Sequence, residues 1–468
     1  MQTDPTANAV FDSALIARYD VAGPRYTSYP AAPHFHGGFG EAELRAAALA
    51  SNETAAPRPL SVYVHVPFCL SPCFYCGCTR LITCDTSRSG PYLERLFCEI
   101  ERAAALFDRG RKLVQLHFGG GTPNFLDARQ MAELLDFLAQ RFTFSDEAER
   151  EFGIEVDPRW CTADYVRMLA RHGFNRISVG IQDFDPEVQQ AVNRIQSVEQ
   201  TRAVLDAARD AGFRSTSVDL IYGLPQQTVE KFAHTLDQVI ALAPDRVACY
   251  AYAHLPERFK AQRQIKAADL PDAKARLDLL GLSVAKLTAA GYRYIGMDHF
   301  ARPADDLAVA QDNGTLQRNF QGYSTHGDCD LIGFGMSSIS HVGATFSQNA
   351  RELPLYYAAL DAGRLPVVRG LKLDEDDAIR ADAIQQLMCH GVLVIGAFER
   401  RHRLCFADYF AREIERLREL ERDGLIEVAP DRLTVTARGR FLLRIIAMCF
   451  DAHLGRSAGS GTRYSKAV

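Results

Sequence analysis

From Ser61 onward, short apolar runs rich in β-branched residues alternate with longer stretches whose apolar positions recur every three or four residues. The runs at 62–67, 113–118, 152–156, 176–181, 215–221, 246–252 and 292–297 predict strands. The stretches 92–108, 128–141, 162–172, 197–211 and 228–241 predict helices between them. Strand–helix repetition of this kind implies parallel strands joined by crossover helices. At least six units fit, which predicts an α/β fold built on a full or partial TIM-type (β/α)6 barrel. No Gly-x-Gly-x-x-Gly opens a helix after the first strand, which argues against an open dinucleotide-binding sheet.

The flanks differ. Residues 1–55 read as an arm, with an extended polar and aromatic stretch at 19–35 and a linker at 51–59. Beyond about Leu371 the alternation stops: 374–390 and 408–423 read as helices, 424–436 as a hairpin and 438–453 as an apolar helix. That order is winged-helix-like. Some such modules bind DNA, but the plainer reading is a packing or lid domain. The expected division is an arm at 1–55, a barrel at 56–370, a mainly helical domain at 371–455 and a mobile tail at 456–468.

Composition narrows the function classes. The chain has 468 residues, 47% of them hydrophobic and 24% charged, which excludes a disordered or collagen-like chain. With 53 Lys and Arg against 58 Asp and Glu the formal charge is −5, so nothing global points to nucleic acid or an anionic membrane. No apolar run approaches the ~20 residues of a membrane span. Residues 1–18 lack a basic start followed by an apolar core, so a cytoplasmic location is expected. Of 12 cysteines, Cys69, Cys73, Cys76, Cys78 and Cys84 crowd into sixteen residues, a density that in a reducing compartment points to metal or redox chemistry.

Candidate chemistry gathers at the ends of successive strands, where a parallel barrel keeps its site. The first strand runs into Cys69-x3-Cys73-x2-Cys76-x-Cys78. Thiolates suit iron–sulfur clusters, zinc and Cu(I). Three on one loop can cap three corners of a four-iron cluster and leave one iron open, whereas Cys78 as a fourth ligand would give closed zinc. The second strand runs into Gly119-Gly120-Gly121-Thr122-Pro123, a close-approach turn without the Lys-Ser/Thr of a phosphate loop. Glu155 and Asp157, Gln182 and Asp183, and Asp219 follow on the next three strands, with Arg194 nearby. This polar set reads either as a structural ion-pair network or as a receptor for a ligand carrying ammonium, carboxylate and hydroxyl groups. Tyr63 and His65 share one face of the first strand; Tyr63 reads equally as a satisfied core tyrosine, and His65 reads as a hydrogen-bonded neutral histidine more than as a ligand.

The cysteine spacing followed by the Gly119–Pro123 turn resembles the radical S-adenosylmethionine superfamily. More narrowly, the chain resembles the bacterial oxygen-independent coproporphyrinogen III oxidases. The carrying segments are Gly23-Pro24-Arg25-Tyr26-Thr27-Ser28-Tyr29-Pro30, 63–78, 180–184, 221–225, 252–256, 296–301 and 318–323. The resemblance implies a [4Fe–4S] cluster on Cys69, Cys73 and Cys76, with Cys78 not a ligand. It implies two bound S-adenosyl-L-methionine molecules. The first would touch Tyr63, Gly120, Glu155 and Ile339. The second would touch Tyr75 (where Phe is common), Gly121, Thr122, Gln182, Arg194, Asp219 and Ala253. The implied activity is oxidative decarboxylation of two propionates of coproporphyrinogen III to vinyl groups, giving protoporphyrinogen IX in haem biosynthesis, by hydrogen abstraction with a 5′-deoxyadenosyl radical. A flavodoxin-like one-electron donor, an unidentified electron acceptor and a monomeric state come with it. The arm and the C-terminal domain are expected to close the barrel mouth, with Arg25 a candidate partner of a propionate. One alternative is a haem-carrying paralogue of the same superfamily, opposed by Cys78 and the full arm. A winged-helix iron–sulfur regulator is opposed by the acidic net charge.

Overall fold

The structure, a computed structural model, describes residues 9–146, 148, 150–454, 464 and 466. Six parallel strands lie side by side in sequence order: β1 (Leu60–Val66), β2 (Lys112–Gly120), β3 (Glu151–Val156), β4 (Arg176–Gln182), β5 (Ser215–Tyr222) and β6 (Arg246–Ala251). Crossover helices connect them: α1 (Ser89–Ala104), α2 (Ala128–Arg141), α3 (Ala163–Arg171), α4 (Val198–Asp210) and α5 (Val229–Leu242). This is the predicted (β/α)6 repeat. The helices begin where the sequence caps them. Asp127 and Gln130 exchange side-chain and backbone hydrogen bonds at the start of α2, and Ser197 and Gln200 do the same for α4.

Alternation along the strands sets the two faces. In β4, Ile177, Val179 and Ile181 are buried against the helices, while Arg176, Ser178, Gly180 and Gln182 face the lumen half-buried. Tyr63 is the one half-buried residue of β1. The core therefore lies between sheet and helices, and the lumen carries polar groups.

The sheet does not close. The seventh predicted strand is not a barrel strand: β7 (Arg293–Gly296), after helix α6 (Ala273–Ala289), turns antiparallel onto β8 (His299–Ala301), which pairs with β6. On the other side β1 is flanked by four strands the sequence pattern did not reveal. These are β9 (Asp330–Phe334), parallel to β1, then β10 (Ile339–Val342), β11 (Thr345–Asn349) and β12 (Val367–Lys372), each antiparallel to its neighbour.

The C-terminal region has its own core. Helix α7 (Glu375–His390) precedes β13 (Val392–Val394), and β13 joins the predicted hairpin, β14 (Ile426–Val428) and β15 (Arg432–Val435), in a three-stranded sheet. Three residues of β13 were too short a run to show a period. Tyr26 and Tyr29 of the arm are buried in this core. The Tyr26 hydroxyl donates to Asp451 at 3.0 Å, and the Ala452 N–H donates to the Tyr29 hydroxyl at 3.0 Å. Of the tail expected at 456–468, only Tyr464 and Lys466 fall within the described residues, and Lys466 Nζ meets Asp20 at 2.8 Å. Among the described residues, no helix is long and apolar enough to cross a membrane.

Candidate active site

β1 ends at Val66, and Pro67 turns the chain into the cysteine loop. Phe68 anchors the turn, buried and stacked on Phe125 with ring centroids 4.9 Å apart. The loop is then tied on every side. Leu81 N–H donates to Pro67 O at 2.7 Å, Thr83 N–H to Cys69 O at 3.0 Å, and Phe74 N–H to Val192 O at 2.9 Å. Asn193 Nδ2 donates to Pro72 O at 2.7 Å. Arg80 lies across the loop and donates to the carbonyls of Cys73 (3.2 Å), Cys76 (3.1 Å) and Cys78 (3.4 Å). These bonds fix three thiols on a loop that could not hold them through regular secondary structure.

The sulfurs themselves have donors. Thr122 Oγ1 approaches Cys69 Sγ at 3.3 Å, Arg194 Nη1 lies 3.6 Å from Cys73 Sγ, and the Cys78 N–H donates to Cys76 Sγ at 3.4 Å. Burial pushes the Cys69 thiol up to about 11. Hydrogen bonding from Cys78 brings Cys76 down to about 6. Among the described residues no three His, Cys, Asp or Glu side chains converge on a single ion. A four-iron cluster asks for something else, thiolates at separate corners, and soft sulfur donors beside two guanidinium groups fit it.

The glycine turn is placed by contact rather than propensity. Gly120 has φ of +116°, and a Cβ there would meet the His65 ring at 2.7 Å. A Cβ on Gly121 would sit 2.6 Å from the Pro67 carbonyl oxygen, so only glycine lets the β2 end lie against the cysteine loop. On β4, Gln182 adopts φ of +71° next to a register shift in its pairing with β5, which re-aims its side chain.

Two layers of acidic residues occupy the lumen, and they differ. In the lower layer Glu151 pairs with Arg176 at 3.0 Å, and Asp305 with Arg246 at 2.8 Å. Burial opposes charge on Glu151, but Arg176 and Arg246 outweigh it and hold the carboxyl down to about 2. This is an ion-pair network of the kind the sequence allowed, built from residues outside the predicted set, in addition to the Asp157–Arg194 pair within it. In the upper layer Glu155 is half-exposed and meets His117 Nε2 at 3.2 Å. Asp219 accepts from Ser178 Oγ at 3.3 Å, and burial together with the Glu155 charge pushes it up to about 7. Asp157 is taken by Arg194 at 3.1 Å and Arg159 at 2.6 Å. Arg194 also donates to the Gly180 carbonyl at 2.7 Å, and its buried Nε has no partner.

Eleven of the predicted positions come together. Cys69, Cys73, Tyr75, Cys76, Gly120, Gly121, Thr122, Glu155, Gln182, Arg194 and Asp219 line one cavity of about 200 Å³. Tyr63 and Ile339 line an adjoining cavity of about 400 Å³ that also includes Glu155. Ala253 lines neither. Its carbonyl accepts from Gln262 Nε2 (3.1 Å), which also donates to the Tyr75 carbonyl (2.8 Å), so it flanks the first cavity. Tyr63 and His65 are joined as their shared face predicts. The Tyr63 hydroxyl lies 3.2 Å from His65 Nδ1, and His65 Nε2 lies 3.0 Å from Thr79 O. Burial lowers the imidazole to about 4, so it is neutral and its Nε2–H is the donor to Thr79. Sequence reasoning missed Arg80, whose role lies in backbone contacts. It also missed His117, Tyr250, His299, Arg318 and Gln321, which line the larger cavity from separate parts of the chain. Arg25 reaches that cavity, paired with Asp298.

The comparisons agree along the whole chain. A model of the radical SAM superfamily matches residues 63–239, and a model of the HemN C-terminal domain matches residues 373–442. The oxygen-independent coproporphyrinogen III oxidase of Pseudomonas aeruginosa is 49% identical over 95% of this chain and 96% of its own length. That of Escherichia coli is 48% identical over 96% of each. A solved structure of coproporphyrinogen III oxidase (HemN) from Escherichia coli, described as a radical SAM enzyme, matches with a TM-score of 0.90 at 47% identity, covering 96% of this chain and 100% of that one. The chain belongs to the oxygen-independent coproporphyrinogen III oxidase family of the radical SAM superfamily.

Proposed function

We propose that this chain converts coproporphyrinogen III to protoporphyrinogen IX in haem biosynthesis, using a [4Fe–4S] cluster and two molecules of S-adenosyl-L-methionine. The observation that carries the reading is the single cavity in which three loop thiols face the glycine turn, Glu155, Asp219 and Arg194. Cys69, Cys73 and Cys76 would hold the cluster. Tyr63, Gly120, Glu155 and Ile339 would touch one S-adenosylmethionine, and Tyr75, Gly121, Thr122, Gln182, Arg194, Asp219 and Ala253 the other. When bound, cluster and S-adenosylmethionine would supply the radical chemistry that removes a hydrogen atom from the β-carbon of a propionate.

The chain's own residues do the rest. Glu155 offers a half-exposed carboxylate to ammonium or hydroxyl donors, and Arg194 keeps positive charge next to the thiolates. Neutral His65 orients Tyr63. Each propionate then loses one hydrogen atom, carbon dioxide and one electron, leaving a vinyl group. The electrons would pass to an acceptor, and a flavodoxin-like carrier would supply reducing equivalents. We read the enzyme as a cytoplasmic monomer with an arm (1–55), a catalytic unit (56–370), a lid-like unit (371–455) and a tail (456–468). The burial of Tyr26 and Tyr29 in the C-terminal core supports arm and lid acting together.

The test is anaerobic reconstitution with iron and sulfide, reduction, and addition of S-adenosylmethionine with coproporphyrinogen III. Two 5′-deoxyadenosines per protoporphyrinogen, abolished by Cys73→Ser, establish the oxidase. Cleavage of S-adenosylmethionine without vinyl product moves the substrate elsewhere. Bound haem without turnover would favour a carrier.

A further inference from the structure

The substrate of the proposed reaction carries four propionates, so its receptor needs cationic or donor groups apart from the cofactor site; the inference below rests on that reading. Arg25 is already matched by Asp298. Arg318 is different. It is 7% exposed, and its Nε donates to the Arg25 carbonyl at 3.2 Å. Its guanidinium lies 4.8 Å from the centroid of the Tyr323 ring, and its buried Nη1 has no hydrogen-bond partner. Among the described residues no carboxylate is paired with it. Gln321 Nε2, lining the same 400 Å³ cavity, is likewise buried without a partner. Buried donors are ordinarily satisfied, and a buried cation without counter-charge is costly. Two such donors on one cavity wall therefore mark a place for an anion. His299 beside them is no rival cation: burial and then the Arg318 charge lower it to about 3.

We propose that Arg318, with Gln321, binds a carboxylate of the tetrapyrrole, and that this carboxylate is one the reaction leaves in place. The position argues for the second half. The 400 Å³ cavity meets the cysteine cavity at Glu155. Arg318 lies where it meets a further cavity of about 240 Å³, lined by Thr27 of the arm and Gln385 of the lid. The reacting carbon belongs at the Glu155 side, near the cofactors. An ion pair also stabilises a carboxylate against departure as neutral carbon dioxide, so a guanidinium suits a propionate that must stay.

The test titrates the full-length protein, carrying its cluster, with three porphyrins followed by fluorescence: coproporphyrin III, its neutral tetra-amide, and protoporphyrin IX, which keeps two propionates. Arg318→Gln should weaken both acids by about tenfold or more and leave the tetra-amide within about twofold, with Arg318→Lys recovering part of the loss. Unchanged cluster absorbance and S-adenosylmethionine binding show that the variant is folded. Equal affinities for wild type and Arg318→Gln overturn the proposal, as does a parallel loss for acid and amide. A loss confined to coproporphyrin III overturns the assignment to a retained carboxylate. A wild-type protein that binds none of the three and forms no vinyl product overturns the oxidase reading itself, which separates that failure from failure of the subsite.

Discussion

The two ends of the barrel mouth are built on opposite principles. At the cysteine end, the loop carbonyls, the sulfurs and the glycine backbone are tied together by Arg80, Arg194, Thr122 and the β2 end, all close to the first four strands. Arg80 and Arg194 each leave only Nε unpartnered, their other nitrogens being bonded around the loop. At the other end, Arg318, Gln321 and His299 leave polar atoms buried without partners, and the arm, the β7–β8 hairpin and the segment 317–324 complete a wall whose remaining residues come mainly from the strands. The first end is preorganised for a resident group. The second is completed by what it binds, as expected of a site that must admit a large substrate and release its product.

The sharpest way to break this comparison is to remove one tie at the cysteine end. Cys73→Ser exchanges a soft thiolate for a hydroxyl and should cost turnover roughly a thousandfold or more, beyond the 10–100-fold of groups that only support a ligand. Iron content and 5′-deoxyadenosine formation fall together, while coproporphyrin binding at the far end persists. Loss of porphyrin binding as well would show one coupled site instead of two. Gly121→Ala is gentler. The added methyl would lie 2.6 Å from Pro67 O, a backbone atom that yields only if the loop moves. A supporting-shell effect of about 10–100-fold on turnover is expected. Full activity would mean that the loop tolerates displacement and is not preorganised.

The same contrast governs what the sequence could reveal. The cysteine end lies in local spacings, Cys69 to Cys76 and Gly119 to Pro123, on β-branched strands with clear periods, so a linear reading finds it. β9 is buried on both faces and shows no alternation, while β10 and β11 are short and carry Ser340, His341, Ser347 and Asn349, so the pattern missed them. The far cavity joins positions 25, 117, 250, 299 and 318, brought together by tertiary packing alone. Ile339 and Tyr63 were named through the resemblance, whereas nothing in spacing marked Arg318 as uncompensated. Charge balance is a property of the folded neighbourhood.

At the cysteine end, beside Glu155, stands Asp219, and its titration gives a graded test. Its carboxyl is pushed up to about 7 in the folded chain, from an ordinary value near 3.8. The folded state thus holds a proton that the unfolded state has released between those values, and stability contributed by this group declines as pH rises from about 4 to 7. Asp219→Asn should stabilise the fold at neutral pH by roughly 2 kcal/mol, a figure reduced because the side chain keeps some solvent contact. With S-adenosylmethionine bound beside Asp219 as proposed, its positive charge would favour the carboxylate, so affinity should rise about tenfold between pH 6 and 8 in the wild type. Calorimetric titration that finds the same pH slope in Asp219→Asn assigns the proton elsewhere.

The smallest effect is expected at the arm. Tyr26 is buried, and its hydroxyl donates to Asp451, itself buried, at 3.0 Å. Tyr26→Phe leaves one Asp451 oxygen without that donor, at a cost of about 1–3 kcal/mol to the C-terminal region in urea unfolding. Because Thr27 and Arg25 line the far cavity, loosening the arm should raise KM for the tetrapyrrole a few-fold. Iron content should not change, since the cysteine loop takes its ties from β2 and from residues 80, 193 and 194. A fall in iron content with Tyr26→Phe would mean that the arm helps to hold the cysteine loop, and the mouth would then be one cooperative unit whose two ends differ in chemistry but not in rigidity.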